Sequence, residues 1–600
     1  MNKEMLEELK IKLSLLTKEE KLQRNIYLSK LSKGIIEGPS LNIPSITKPW
    51  LKYYSDEQLM APIPNMTAYE YMQMLNSNNQ DAVAIEYLDK KITYKELFKK
   101  VNDTAKALAK IGVKPGEIVS IMLPACPEEV YLFYALDLIG ACSNFIFPGT
   151  SLLEVEKNMN SLNCNKLFIL SNLIEVENIL TNNKKFQIIT KNLFDNGNDQ
   201  WDKFINDGYE FQIPIYHRNQ DDPLFIAKTG GSTGKPKQVL LSDKCFNLQV
   251  QQHLNTDNSF AAGDRWLRLW PIFSASAAVS SNHLPLCYGM TLILEPTFNI
   301  ENMDEIILRT RPSHMPLVVS CFDSLVNSPL LTAGTLSFMK SIGCGGETIT
   351  KEFEIKAEKF IKKHKIPSCM TYGYGMTENA SGATTRFSYE TSSMCGVGIP
   401  QLNTNIGIFD TDTLEEMPYN QEGEICVQSN NFMLGYYNDL KNTKKVLRVH
   451  SDGSTWLHSG DLGCVDENGH VFVKGRIKRV ISLYNGHKVF PLEMESEIET
   501  LDYVKKAVVV SGNDPLHEGY LKPYCFVLLE KNVDKDKLLQ DINTGALITL
   551  PDYVRISDVC IVDNLPYTDI GKIDLKLLEK IAMGNTSTNK LENKVLKKQK

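Results

Sequence analysis

The 600-residue sequence lacks most of what would send a chain to nucleic acid, to a membrane or to an oxidising compartment. It has no basic excess: 65 Lys and Arg stand against 72 Asp and Glu, for a net charge of −7. A general nucleic-acid-binding face is excluded on that balance, whereas a local basic pocket for a small anion is not. It has no paired cysteines: the 13 are scattered from Cys126 to Cys560, with no CxxC or zinc-type spacing. The expectation is reduced thiols that behave as small buried hydrophobes. It has no unbroken apolar run long enough to span a bilayer. The best candidate, residues 130–149, is interrupted by Asp137, by Gly140 and Ala141, and by Asn144, which predicts a buried helix followed by a buried strand. It has no secretory signal, because MNKEMLEELKIKLSLL mixes acids among its apolar positions and reads as an amphipathic helix. A cytoplasmic protein with no membrane span is expected. No internal repeat is visible.

What is present is the composition of a soluble globular protein, 42% hydrophobic and 23% charged. Helical, charged residues 1–60 precede a change of pattern near Ala82. AIEYLDKKITYKEL alternates like a strand, turns, and enters a helix at Thr93, where Glu96 three residues later completes a capping box. GVKPGEIVSIMLP predicts a turn and buried strand, and CPEEVYLFYALDLIG a helix with Pro127 in its first turn and Gly140 at its end. This alternation predicts an α/β fold with largely parallel sheets. Residues 406–480 are richer in strand signals, and a small α/β unit follows from Pro491 to about Lys580. The polar, basic end reads as a frayed tail.

Residues 229–237, TGGSTGKPK, concentrate glycine, hydroxyl and lysine. Two helix-based phosphate loops fail. A Walker loop needs glycine where Thr229 stands and a helix after the lysine, and Pro236 is followed instead by the strand-like KQVLLS. The dinucleotide fingerprint likewise needs a helix opening on its last glycine. A strand–loop–strand hairpin remains. Its glycine amides and the hydroxyls of Thr229, Ser232 and Thr233 can wrap phosphate oxygens, and by itself the run is equally well explained as a β-turn.

The loop resembles the phosphate loop of the adenylate-forming, or AMP-binding, superfamily, and the resemblance continues in order from about Thr93 to Leu578. On that resemblance Thr229, Gly230, Gly231, Ser232, Thr233, Gly234 and Lys237 hold ATP phosphates. The CGGET turn, with Gly345, Gly346 and Glu347, forms a wall against adenine. In YGYGMTE, Tyr374 stacks on adenine beside Gly375 and Met376, Thr377 lies by the phosphates, and Glu378 holds magnesium. In WLHSGDLG, Asp461 accepts from the ribose hydroxyls, and in GRIKR, Arg476 contacts ribose while Lys478 is the hinge between two domains. In GKIDLKLL, Lys572 reaches the acyl–phosphate centre. Departures are Gly230 in place of a frequent serine, Gln238 in place of glycine, and Ser274 in place of an aromatic or histidine gate.

The resemblance implies an α/β architecture: a large N-terminal domain of helix-covered mixed sheets plus a β-rich subdomain, and a small mobile α/β C-terminal domain. The expected division is a leader at 1–60, the AMP-binding domain at 61–477, a lid at 478–582 and a tail at 583–600. It implies ATP-dependent activation of a carboxylic acid, fatty or aromatic, to an acyl adenylate with Mg2+, then transfer to the thiol of CoA. The alternative acceptor is a phosphopantetheine carrier protein. An inactive nucleotide-binding protein is disfavoured by the joint presence of Glu378, Asp461, Arg476 and Lys572. The acyl pocket is expected around Phe273, Ser274, Ala277, Val318, Gly343 and Tyr372, small enough in places to admit a bulky apolar acid. Gly486 is expected to line the thiol tunnel, and Glu493 sits where the family is usually acidic.

Overall fold

The computed structural model describes residues 3–37, 41–171, 186–192, 200–213, 216, 218–229, 236–254, 259–297, 300–346, 349, 351–368, 370–386, 396–567 and 573–584. Two seven-stranded sheets form the larger part. One runs in the order Thr371–Tyr372, Ser341–Cys344, His314–Leu317, Arg265–Arg268, Thr291–Leu294, Val83–Tyr87, Lys90–Thr93, all parallel until the last hairpin. The other places Cys142–Phe145, Ile118–Met122, Lys166–Leu170 and Gln187–Lys191 in parallel beside Pro223–Lys228, whose antiparallel partner is Gln238–Ser242.

The helices between these sheets follow local rules. Thr93 caps Tyr94–Lys110 with Glu96 as its reciprocal partner, and that helix buries Leu97, Val101, Ala105 and Leu108 on one face. Helix Pro127–Leu138 is buried on nearly every side, which is why its sequence is apolar all round. Asp137, in its last turn, is fully buried beside Arg218 and accepts from the Tyr69 amide. The strand Cys142–Phe145 follows, so residues 130–149 form the buried helix and strand that their interruptions predict. Among the described residues, no helix is long and apolar enough to cross a membrane.

An antiparallel sheet of Thr404–Phe409, Gly423–Ser429, Thr455–Val465 and Leu447–Val449, with Val471–Arg476 alongside Thr455–Val465, makes the strand-rich region. The C-terminal part has its own three-stranded sheet, Val504–Asn513, Leu521–Leu529 and Asp558–Ile561, and its own apolar clusters. The fold is therefore the large mixed α/β body, β-rich region and small C-terminal α/β unit anticipated from the sequence.

The N-terminal helices, Lys3–Ser14 and Lys18–Ser32, are docked rather than loose. Trp50 is fully buried among Leu28, Tyr54, Ile399 and Leu402, and its backbone closes on Gly469, where a Cβ would meet the Trp50 nitrogen at 2.8 Å. Lys10 pairs with the buried Glu416 at 2.9 Å, and the Tyr54 hydroxyl donates to the Pro400 carbonyl at 2.8 Å.

Candidate active site

Parallel strands expose their carboxyl ends to a common crevice, the usual ligand position in such sheets. At one such edge, Gly343 and Cys344 pair with Pro316 and Leu317 on one side and with Thr371 and Tyr372 on the other. The sequences that follow these strands therefore emerge together: Val318, then Gly345 and Gly346, then Tyr374 through Glu378.

The 374–381 loop is held in a conformation few residues tolerate. Ala380 and Ser381 both have positive φ, 58° and 119°, and a Cβ on Gly375 would lie 1.8 Å from the Ser381 carbonyl oxygen. Strain of this kind persists only where surrounding structure enforces it. Here the Tyr374 amide donates to the Thr384 hydroxyl at 3.0 Å, and the Asn379 side chain donates to the Gly382 carbonyl at 3.0 Å. Thr377–Asn379 forms one 3₁₀ turn.

Two groups of candidate residues meet here. In the first, the Tyr374 hydroxyl donates to Asp461 Oδ2 at 2.7 Å, and Arg476 Nε reaches Asp461 Oδ1 at 2.8 Å. Asp461 and Arg476 are direct partners on neighbouring strands. Burial pushes the Asp461 carboxyl above its ordinary range, and Arg476 and the Tyr374 hydroxyl draw it part of the way back. Burial and the adjacent Asp461 raise the Tyr374 hydroxyl well above its usual value, so it remains a donor. In the second group, the Tyr436 hydroxyl donates to Glu378 Oε1 at 2.7 Å, and the Lys237 ammonium lies 4.3 Å from the centroid of the same ring. Tyr436 thus joins the candidate magnesium carboxylate to the end of the glycine-rich loop. No local spacing in the sequence marks Tyr436, because it meets the loop only through the pairing of Gly435–Tyr436 with Gln238–Ser242.

The loop itself springs from an antiparallel hairpin, as Pro236 and the strand after it require. Its mouth is closed by Thr229 and Lys237, whose backbone and hydroxyl bonds are 2.9 and 3.0 Å. Gly230, Gly231, Ser232, Thr233 and Gly234 lie outside the described residues, as do Glu347 and Lys572. Gln238, the departure after the lysine, donates its amide to Ser161 Oγ at 3.0 Å and fastens the exit strand to helix Leu152–Ser161.

Two residues expected to line an acyl pocket, Phe273 and Ser274, adjoin the 374–381 loop through the segment that follows them. Phe273 packs edge-on against Phe147 with centroids 5.2 Å apart. Ser274 caps the short helix Ala275–Ala278 by accepting from the Ala277 amide, and a π-helical turn, Val279–His283, follows. Such turns are frequent at functional sites. Ser280 meets Ser381 of the strained loop at 2.9 Å. Buried Glu129 braces this segment by accepting from the Ile272 amide and from Arg268.

Next along the chain, Lys478 lies in a single 3₁₀ turn, Ile477–Arg479, immediately after Arg476. Arg476 faces Asp461, whereas Arg479 reaches Glu495 at 2.6 Å in the C-terminal part. Glu493 pairs with Lys474 at 3.1 Å. Gly486 has φ +82° in a turn closed by Leu483 and His487, with open space where a side chain would go. The turn itself accounts for glycine there.

Comparison with known proteins accords with this geometry. The AMP-binding enzyme family model matches residues 73–437, and that of the AMP-binding enzyme C-terminal domain matches 493–572. The chain belongs to the AMP-binding enzyme family. It is 28% identical over 505 residues to 4-coumarate–CoA ligase CCL1 of Humulus lupulus, covering 81% of this chain and 88% of that one. It is 27% identical over 482 residues to 4-coumarate–CoA ligase of Pinus taeda, covering 78% and 86%. These relatives place it on the acyl-CoA ligase branch of the adenylate-forming enzymes, the AMP-forming acid–thiol ligases. Among solved structures, ATP-bound MatB from Rhodopseudomonas palustris shares the fold with a TM-score of 0.76 at 21% identity, over 86% of this chain and 99% of that one. The anthranilate CoA ligase AuaEII in complex with anthranoyl-AMP has a TM-score of 0.75 at 18% identity, over 88% and 99%.

Proposed function

We propose that this AMP-binding enzyme activates an aromatic or similarly bulky apolar carboxylic acid with ATP and passes the acyl group to the thiol of CoA. The observation that carries the reading is the junction of Tyr374, Asp461 and Arg476 beside Glu378, Tyr436 and Lys237. One group has the chemistry for a nucleoside and the other for its phosphates. Relatives named for 4-coumarate and anthranilate support the aromatic class.

In the first half-reaction a substrate carboxylate oxygen attacks the α-phosphorus of ATP, the bond to the pyrophosphate oxygen breaks, and an acyl adenylate forms. Two anions must approach, so positioning and charge neutralisation dominate. Asp461 would accept from the ribose hydroxyls; its two oxygens offer about four lone-pair positions, of which Tyr374 and Arg476 take two. Thr229, Lys237 and the intervening loop would surround the phosphates, and Lys572 would reach the reacting centre. Glu378, a half-buried carboxylate anchored through one oxygen, fits a hard cation such as Mg2+, which when bound would supply further positive charge to the phosphates. In the second half-reaction the thiolate attacks the acyl carbonyl and AMP leaves, after the C-terminal part, residues 478–582, turns about Lys478.

Pyrophosphate release over a panel of cinnamic, benzoic, fatty and amino acids tests the substrate class, with CoA or a phosphopantetheine carrier protein as acceptor. Cinnamic or benzoic acids should lead, with CoA as acceptor. A preference for amino acids would sink the proposal. Lys572→Ala should cut adenylation by about 10²–10³ or more, in line with loss of one electrostatic group at a reacting centre, yet spare CoA transfer from supplied acyl adenylate. Equal loss of both would make Lys572 a stability residue.

A further inference from the structure

Behind Asp461 lies a buried polar cluster that the reaction itself does not use. The ladder between Gly423–Ser429 and Thr455–Val465 jumps from Glu424↔Leu462 to Cys426↔His458. Ser459, Gly460 and Asp461 therefore bulge out of the pairing, with Gly460 at φ +73°. Bulges re-aim side chains and are common beside active sites. This one is held by side chains from the neighbouring strand. Glu424 Oε1 accepts from the Gly460 amide at 2.9 Å, and its Oε2 faces His458 Nδ1 at 2.8 Å. Ser459 Oγ donates to the Ile425 carbonyl at 2.5 Å and accepts from the Asp461 amide at 3.0 Å. Glu424, Cys426, His458 and Asp461 are all buried.

A carboxylate opposite Nδ1 assigns a His458 proton to that nitrogen, and Nε2 on the far side of the ring lies 2.9 Å from His450 Nε2. Burial alone would raise the Glu424 carboxyl, but His458 and the Gly460 amide outweigh it and keep the group below its ordinary value, hence ionised. Glu424, Cys426 and His458 are also close enough to share a metal ion. Against that use, both Glu424 oxygens and both His458 nitrogens already have hydrogen-bond partners.

We propose that Glu424, oriented by His458, is a positioning residue for the nucleotide site: its carboxylate fixes the Ser459–Gly460–Asp461 bulge and so sets where Asp461 meets the ribose. The inference rests on the reading of Asp461 as the ribose ligand. A ribose interaction is made equally in substrate and transition state, so its loss appears in KM for ATP and not in kcat.

The test compares ATP with 2′,3′-dideoxy-ATP in pyrophosphate release by the full chain. Glu424→Ala should raise KM for ATP about tenfold, the scale of one hydrogen bond to a charged group. It should leave kcat, KM for the acid and KM for dideoxy-ATP within about twofold, so that the preference for ATP shrinks. His458→Ala should do the same, whereas His458→Asn, whose amide can donate where Nδ1–H did, should restore the preference. An equal rise in KM for both nucleotides would mean a merely structural role and overturn the proposal. Asp461→Ala separates the two layers. If it abolishes the preference while Glu424→Ala keeps it, only the coupling falls; if it too keeps the preference, the ribose reading falls and the coupling with it. Should Glu424→Ala not fold, Glu424→Gln must narrow the preference in smaller measure, and full retention there would overturn the proposal. A stoichiometric metal in the purified protein, lost in Glu424→Gln, would overturn it as well.

Discussion

At Gly375 one methyl group is enough to displace the loop that carries Thr377 and Glu378, because it would overlap the Ser381 carbonyl. Gly375→Ala should lower pyrophosphate release by about a hundredfold while the melting temperature falls only a few degrees, since overpacking of this kind costs about 1–3 kcal/mol and the strain is local. Wild-type turnover in that variant would mean the loop is free to move aside. Single residues such as Tyr374, Asp461 and Arg476 stand out in the sequence because they sit in short strings whose order along the chain is informative, and the fold brings all three within hydrogen-bond distance, which is as far as the structure tests them. Tyr436 and Glu424 were not legible. Each meets a residue 58 or 36 positions away in the chain, and no local spacing marks such a contact.

Among the elements, the helical turn around His283 is sensitive to pH. Its ring is fully buried, bonded to the Tyr134 hydroxyl and Asn247 Oδ1 at 3.0 Å each, and burial lowers its pKa from 6.5 to about 3. The folded state thus binds fewer protons than the unfolded one across that window. Its stability contribution is complete above pH 6.5 and is lost progressively as pH falls toward 3. The melting temperature of the wild type should therefore drop more steeply between pH 6.5 and 4 than that of His283→Gln, and parallel slopes would show that this ring does not govern acid sensitivity. Element types were read with ease where a local device announces them: the Thr93–Glu96 capping box, Pro127 at a helix start, and Pro236 ahead of a strand. What periodicity could not give is the partner of an amphipathic face. The N-terminal pattern MNKEMLEELKIKLSLL marks a helix but not the surface it docks on.

For the molecule as a whole, that docking puts Leu28, Trp50, Tyr54 and Leu59 in one apolar cluster with Ile399 and Leu402, at the entrance to the strand-rich region. Trp50→Ala should cost about 3–5 kcal/mol by cavity formation. Removal of residues 1–60 should render the 396–420 segment sensitive to protease, and an unchanged digestion pattern would show the segment to be dispensable. Arg476, partner of Asp461, is followed directly by the turn that holds Lys478, and Arg479 is already bonded to Glu495 beyond it. If the C-terminal part rotates there, its axle passes beside the Asp461–Arg476 pair proposed to hold the ribose. Torque on the lid would then be torque on the nucleotide, and AMP at Asp461 would act as a brake or a bearing for the swing. The rate of domain rotation, followed by a fluorophore pair across residue 478, should change when Arg476→Ala uncouples the shaft from its seat.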